Sequence, residues 1–219
     1  MSPCIMLSRS TVNAVLAVIA AYLLGSIPFA YVIVKLRTSK DIRSVGSGNL
    51  GATNTLRAAG KAAALAVLIG DIGKGAAAVF LASRLSSAPA VMDAAAVAAV
   101  LGHMRPIFLR SGGGKGGATG LGTLLLLAPA AAAMCVPIVV VVLAWTRYAS
   151  LATIVAVAAA PFLVVLGQRL GWIHDDSALL PAVIAGIAVM IVIRHRSNLR
   201  RLWAGREPKL TERLKSPAS

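Results

Sequence analysis

The chain has 219 residues, 58% of them apolar and only 13% charged, and its mean hydropathy is +0.83. A soluble domain carries about 25% charged residues to cover its surface, so this composition excludes disorder, a collagen-like repeat, a disulfide scaffold and a water-soluble globule. Twenty-two Lys+Arg against seven Asp+Glu give a net charge of +15; in so apolar a chain that balance fits cytoplasmic loops and anionic lipid. It does not argue for nucleic acid, for which stacking aromatics are also scarce.

The first apolar run is the 25 uncharged residues between Arg9 and Lys35. It is too long for the apolar region of a signal peptide and is read as a retained span. A polar stretch from Arg37 to Lys61 follows. The next run, residues 62–83, is interrupted by Asp71 and Lys74, and another covers 88–109. A glycine-rich loop, Ser111 to Gly117, leads into 31 uncharged residues, 116–146. That is long for one span of about 20 residues and short for two, and Pro129 and Pro137 can each break a helix. Residues 149–168 are apolar again, Gly171 to Asp176 form a turn, and the last run covers 178–193.

Charge decides the count. The 37–61 stretch holds five basic residues (Arg37, Lys40, Arg43, Arg57, Lys61), and the tail from Arg194 holds eight (Arg194, Arg196, Arg200, Arg201, Arg206, Lys209, Arg213, Lys215). Both belong in the cytoplasm by the positive-inside rule. An outside N-terminus and an inside tail require an odd number of spans, and dividing 116–146 into two short helices gives seven. The expectation is an all-α integral membrane protein with about seven transmembrane helices, some short. Its N-terminus lies outside, its C-terminus is cytoplasmic, and residues 1–219 form a single polytopic domain; five spans are the alternative. Cys4 and Cys135 form no motif, and His103, His174 and His195 are far apart in sequence, so no metal site is expected.

In this topology four unusual stretches share one membrane face: Asp41 to Arg57, Gly102 to Pro106 with Gly112 to Thr119, Arg147 to Ser150, and Arg194 to Asn198. Glycine, hydroxyl, amide and cationic side chains dominate them, the mixture that binds phosphate. Gly46-Ser-Gly-Asn-Leu-Gly51 matches GxGxxG, with Asp71 following 20 residues later, but a dinucleotide fingerprint needs a strand and a βαβ unit. No lysine completes a phosphate-binding GxxxxGK[ST] loop. Asp71 and Lys74, at i and i+3, read first as a neutralising pair that packs helices, with ion translocation as the rival. His103 reads as a helix-end hydrogen-bonding residue. No histidine is followed five positions later by Asp, since Phe108, Leu179 and Arg200 stand there.

From Tyr22-Leu-Leu-Gly-Ser-Ile-Pro28 to Gly205-Arg-Glu207 the chain resembles the bacterial acyl-phosphate:glycerol-3-phosphate acyltransferases. The motifs that carry the likeness are Gly46-Ser-Gly-Asn-Leu-Gly-Ala-Thr-Asn54, Asp71-Ile-Gly-Lys-Gly75, Gly102-His-x-x-Pro106, Gly113-Gly-Lys-Gly116 and Arg194-His-Arg-x-Asn198. The resemblance implies a seven-span enzyme of the bacterial inner membrane with its motifs facing the cytoplasm. It implies transfer of a fatty acyl group from acyl phosphate, not acyl-CoA, to the 1-hydroxyl of sn-glycerol 3-phosphate. The products would be lysophosphatidate and inorganic phosphate, as the start of phospholipid synthesis, with functional coupling to a phosphate acyltransferase that makes the donor. No cofactor is implied.

By motif, Ser47, Gly48, Asn49, Gly51, Ala52, Thr53 and Asn54 would cradle the donor phosphate. Arg57 and Lys115 would bind phosphate charge, and His195 with Asn198 would hold glycerol phosphate, joined by a hydroxyl from Ser150 or Thr153. The donor's own phosphate would accept the hydroxyl proton, with His195 as general base the minority reading. The chain departs from the family pattern at Thr153, where Ser is usual, at Ser111 and Gly112, where an aromatic and Lys are usual, and at Gly117, where a bulky apolar residue is usual. The reading that competes with the enzyme is a small anion or lipid transporter using Asp71 and Lys74.

Overall fold

The computed structural model describes residues 8–109, 112–174 and 179–212. Cys4, Ser111, Asp175, Asp176, Arg213 and Lys215 lie outside the described residues. Nine α-helices and one 3-10 turn, and no strand, are present among the described residues. In chain order the helices are α1 (Arg9–Gly25), α2 (Phe29–Thr38), α3 (Ala52–Leu85), α4 (Pro89–Met104), α5 (Gly117–Leu127), α6 (Pro129–Thr146), α7 (Ala149–Arg169), α8 (Leu179–Arg194) and α9 (Arg196–Trp203).

Local chemistry sets most of the helix boundaries. The Ser8 hydroxyl accepts the Thr11 N–H at the start of α1, a standard N-cap. Pro89 and Pro129 sit in the first turns of α4 and α6, where a missing N–H costs nothing. The 116–146 run thus divides at Ala128, where the backbone leaves the helical region. Pro137 and Pro161 are accommodated inside α6 and α7.

Two boundaries differ from the sequence reading. The first run is broken at residues 26–28 between α1 and α2, because Pro28 supplies no N–H to continue the ladder. The 37–61 stretch is not all loop. Helix α3 starts at Ala52 and kinks at Gly60, whose φ is 84°, so Thr53, Asn54 and Arg57 stand on its first turns.

Among the described residues, four segments are long and apolar enough to cross a membrane: Arg9–Thr38, α3, α6 and α7. Helices α8 and α9 together make a fifth, bent by 60°. Helices α4 and α5 are shorter, at 16 and 11 residues; at ~1.5 Å per residue α5 extends only about 17 Å, half a hydrocarbon core. Leu16, Ile19, Val140, Val141 and Phe162 are all at least half exposed, an outward apolar face of the kind lipid covers.

Alanine lines the seam of α1, α3 and α4, with Ala17, Ala21, Ala78, Ala82, Ala95 and Ala99 buried. A methyl group on Gly25 would overlap the Ala99 carbonyl, and one on Gly75 the Thr119 carbonyl. Small residues therefore allow α1 to meet α4, and α3 to meet α5, at backbone contact. Larger side chains from α4, α5, α7 and α8, including Val100, Leu124, Val164, Leu180, Ile184 and Ile187, fill the second half.

Candidate active site

Four helix N-termini converge at one end of the bundle and border a cavity of about 720 Å³. The residues concerned are Gly51 to Asn54 at the start of α3, Gly116 to Ala118 at the start of α5, Ala149, Ser150 and Thr153 of α7, and His195 and Asn198 at α9. Helix N-termini carry unpaired N–H groups and partial positive charge, so their meeting favours an anion. Gly116 allows α5 to begin there: its φ is 91°, a conformation that costs glycine least.

The polar end of the cavity is lined by Ser47, Asn49, Thr53, Arg57, Lys115, Ser150, Thr153, His195 and Asn198. From it an apolar limb runs between α5, α6, α7 and α8, lined by Leu121, Leu124, Val136, Val139, Val157, Ile184 and Ile187.

Glu207 is the hub of the polar end. Its Oε1 accepts hydrogen bonds from Ser150 Oγ and Asn198 Nδ2, both at 2.6 Å, and its Oε2 accepts from Arg201 Nε at 2.8 Å. Burial works against the carboxylate, but the bonds from Ser150, Asn198 and Arg201 outweigh it and hold its pKa below the usual range. Lys115 Nζ donates to Asn198 Oδ1 at 2.5 Å. Burial lowers the Lys115 pKa to about 8, Glu207 pulls it back up, and Arg201, Arg194 and Arg57 push it down. Arg57 donates to the Lys209 carbonyl at 3.2 Å, while its Nε is buried without a partner.

His195 Nδ1 lies 2.8 Å from the Ile191 carbonyl oxygen, which can only accept. Nδ1 therefore carries the proton, and Nε2 is the acceptor of the neutral ring. Arg194 supports the Lys115 loop from below, donating to the Gly113 and Gly114 carbonyls at 3.2 Å each.

The 46–54 loop corrects one expectation. Its backbone does not lay bare the N–H groups of Ser47, Gly48 and Gly51. Ser47 N–H donates to Asn54 Oδ1, Gly48 N–H to the Val45 carbonyl and Gly51 N–H to the Asn49 carbonyl. Gly48 has φ 68° and packs against the Arg43 carbonyl; it does not line the cavity. Asn54 is 1% exposed, and its Nδ2 donates to Val45 and Ile42, so its amide folds the loop. From this loop the Ser47 hydroxyl, the Asn49 amide and the Ala52 and Thr53 N–H groups are left for the cavity, the Asn54 and Thr55 N–H groups bonding the Gly51 carbonyl.

Of the two hydroxyls, Ser150 donates to Glu207 and Thr153 to the Ala149 carbonyl at 2.9 Å. Two departures from the family pattern touch: a Cβ at Gly117 would stand 2.7 Å from Thr153 Cγ2, so the larger hydroxyl residue fits because its neighbour is glycine. The sequence reading missed Glu207 and Arg201 as site residues. Glu207 was visible only as the last residue of the family likeness.

Asp71 and Lys74 form a closed pair at 2.8 Å, both nearly fully buried, and Lys74 Nζ also donates to the Ile27 carbonyl at 2.8 Å. They tie α3 to the break between α1 and α2. His103, in the last turn of α4, places Nδ1 3.5 Å from Asp71, and the Gly114 N–H donates to the His103 carbonyl at 3.0 Å.

A family model described as glycerol-3-phosphate acyltransferase matches residues 15–205. The glycerol-3-phosphate acyltransferase of Nitrobacter winogradskyi is 44% identical over 199 residues, 90% of this chain and 96% of that protein. That of Dechloromonas aromatica is 44% identical over 202 residues, 92% and 98% of the two chains. A crystal structure of PlsY (YgiH), an integral membrane glycerol 3-phosphate acyltransferase in its glycerol 3-phosphate form, superposes with a TM-score of 0.82. It is 37% identical, and the match covers 90% of this chain and 94% of that one. Its lysophosphatidic acid form gives 0.79 at 36% identity over the same shares. The chain belongs to the glycerol-3-phosphate acyltransferase family, as an integral membrane enzyme.

Proposed function

We propose that the protein moves a fatty acyl group from acyl phosphate to the 1-hydroxyl of sn-glycerol 3-phosphate, releasing 1-acylglycerol 3-phosphate (lysophosphatidate) and inorganic phosphate. The observation that carries this reading is one cavity with two chemistries: four helix N-termini with Arg57 and Lys115 at its polar end, and an apolar limb between α5 and α8. Both substrates carry phosphate and the donor also carries an acyl chain. That the PlsY neighbours are described with glycerol 3-phosphate and with lysophosphatidic acid supports the acceptor and the product.

In this reading Ser47, Asn49, Thr53 and the first turns of α3 and α5 receive the donor phosphate, with Gly51 and Ala52 letting the backbone approach. Asn54 and Gly48 keep the loop in shape. Arg57 and Lys115 offset the repulsion between two bound anions, the main barrier to bringing them together. Asn198 and one hydroxyl, Ser150 or Thr153, hold glycerol phosphate, and His195 Nε2 accepts a hydrogen bond from its reacting hydroxyl. That hydroxyl oxygen attacks the acyl carbonyl carbon. The bond from this carbon to the phosphate oxygen breaks, the electron pair leaves with phosphate, and the hydroxyl proton passes to a phosphate oxygen. No general base is needed, because phosphate is a good leaving group and takes the proton. A phosphate acyltransferase would supply the donor.

The polar end faces the cytoplasm in this reading, with seven membrane-embedded helical segments, α4 and α5 among them, in one domain. The transporter alternative loses its support, because the chain belongs to an enzyme family and Asp71 and Lys74 form a closed pair.

The test is release of phosphate by purified protein given palmitoyl phosphate and glycerol 3-phosphate, with no turnover of palmitoyl-CoA. Comparable rates with the thioester would sink the donor assignment. For orientation, single cysteines at Ser197 and His174, both exposed, are placed in a chain lacking Cys4 and Cys135. They should be labelled from the cytoplasmic and the outer side respectively. Labelling of both from one side would remove the seven-segment topology.

A further inference from the structure

Helix α9 has two faces that do different things. At ~100° per residue, Arg196, Leu199, Arg200 and Trp203 fall within about 100° of one another, and Asn198, Arg201 and Leu202 fall opposite. The inner face reaches the cavity: Asn198 is buried and bonds Glu207 and Lys115, and Arg201 bonds Glu207. The outer face is open. Trp203 is 96% exposed, and Arg196 and Arg200 are exposed beside it.

A tryptophan flanked by two arginines is poorly suited to water and well suited to a membrane interface, where the ring sits at headgroup level and the guanidinium groups meet phosphate. The position agrees. Helix α9 leaves the apolar α8 through a 60° bend, so it begins where a membrane segment ends. Trp145, 88% exposed, stands at the end of α6 that turns into the cavity-lining start of α7. Two exposed tryptophans therefore mark the same end of the bundle. Arg147 is exposed next to Trp145, which repeats the pairing of ring and cation.

We infer that the outer face of α9 is a docking surface for the anionic phospholipid headgroups of the leaflet beside the active site, with Arg196 and Arg200 selecting negative charge and Trp203 entering the interface. The occupant is lipid, because the exposed residues are basic around one large ring, and because the helix continues from a segment within the bilayer. Its opposite face carries Asn198 and Arg201 to the cavity, so the helix that reads the leaflet also holds part of the site.

Trp203 supplies its own reporter. The chain has three tryptophans; replacing Trp145 and Trp172 with Phe leaves Trp203 alone. The full protein is placed in nanodiscs of phosphatidylcholine that contain, in separate samples, brominated phosphatidylcholine or brominated phosphatidylglycerol. Both should quench Trp203, and the anionic lipid should quench it more at equal mole fraction. Arg196→Gln with Arg200→Gln should lower the relative affinity for phosphatidylglycerol about 10–30-fold, the scale expected for two basic residues at an anionic surface. Arg196→Lys with Arg200→Lys should keep the preference. Absence of quenching by either lipid would show that α9 stands off the bilayer and overturn the proposal. Equal quenching by both lipids, unchanged by the glutamine pair, would overturn it too.

Discussion

The protein buries ionic groups in two places and balances them differently. At the break between α1 and α2, Asp71 faces Lys74, and the leftover hydrogen-bonding capacity of the ammonium goes to the Ile27 carbonyl. At the polar end of the cavity, Glu207 bonds Arg201, and Lys115, Arg57 and Arg206 line the same end. The first cluster is neutral and complete. The second holds more cations than carboxylates, an excess that the two anionic substrates of the proposed reaction would balance. Charge balance thus distinguishes packing in one place from the proposed substrate binding in the other. Burial differs as well: Asp71 and Lys74 are both nearly fully buried, whereas of the second group only Glu207 is, Lys115, Arg57 and Arg201 being half-buried and Arg206 exposed.

The largest expected effect breaks the complete cluster. Lys74→Met removes the cation from buried Asp71, leaving only His103 Nδ1 at 3.5 Å beside it, and should cost ~3–5 kcal/mol of stability, seen as a lower Tm of the purified protein. Changing Asp71→Asn as well should recover much of the loss. A Lys74→Met protein of unchanged Tm but little activity would place this pair in the chemistry and erase the contrast.

The incomplete cluster should respond the other way. Lys115→Ala removes a cation from a site that has too many, so Tm should hold while kcat/KM falls roughly 10²-fold or more. Lys115→Arg should recover part of it, limited by the planar fork beside Gly114 and Gly116.

His195→Gln keeps a hydrogen-bonding side chain and loses the base. If the ring positions the acceptor, KM for glycerol 3-phosphate should rise about tenfold, the scale of a hydrogen bond to a polar partner, with kcat little changed. A kcat loss of ~10²–10⁴-fold at constant KM would make His195 the general base and replace transfer of the proton to phosphate.

The smallest effect sharpens the comparison by pH. With a pKa of about 8 in the free enzyme, Lys115 is cationic below that pH and neutral above it. Bound anions favour the cation, so kcat/KM should decline as pH rises through about 8. Lys115→Arg should move that limb to higher pH, since guanidinium stays charged. An unchanged alkaline limb in Lys115→Arg would assign it to another group.

The sequence by itself determined where apolar segments lie, because burial in lipid is a sum of transfer free energies over neighbouring residues and needs no knowledge of partners. Both Pro129 and Pro137 were possible breaks of 116–146, and charge parity chose two helices there; the structure breaks the run at Ala128 and keeps Pro137 inside α6. Most of the candidate site was legible as well: Ser47, Asn49, Thr53, Arg57, Lys115, Ser150, His195 and Asn198, singled out by the family motifs in stretches rich in glycine, hydroxyl, amide and cationic side chains, all border the cavity. The hydrogen-bond partners were not legible. Ser150 and Glu207 are 57 residues apart, and Lys115 and Asn198 are 83 apart. Which loop N–H groups are occupied, and that Asn54 folds the loop, depend on distances and directions that only packing sets. The i, i+3 spacing of Asp71 and Lys74 already pointed to their pairing, but the tertiary structure alone decided that Glu207 is the hub and that the Ile27 carbonyl takes a further bond from Lys74, because a hydrogen bond is directional and short-ranged while hydrophobic burial is neither.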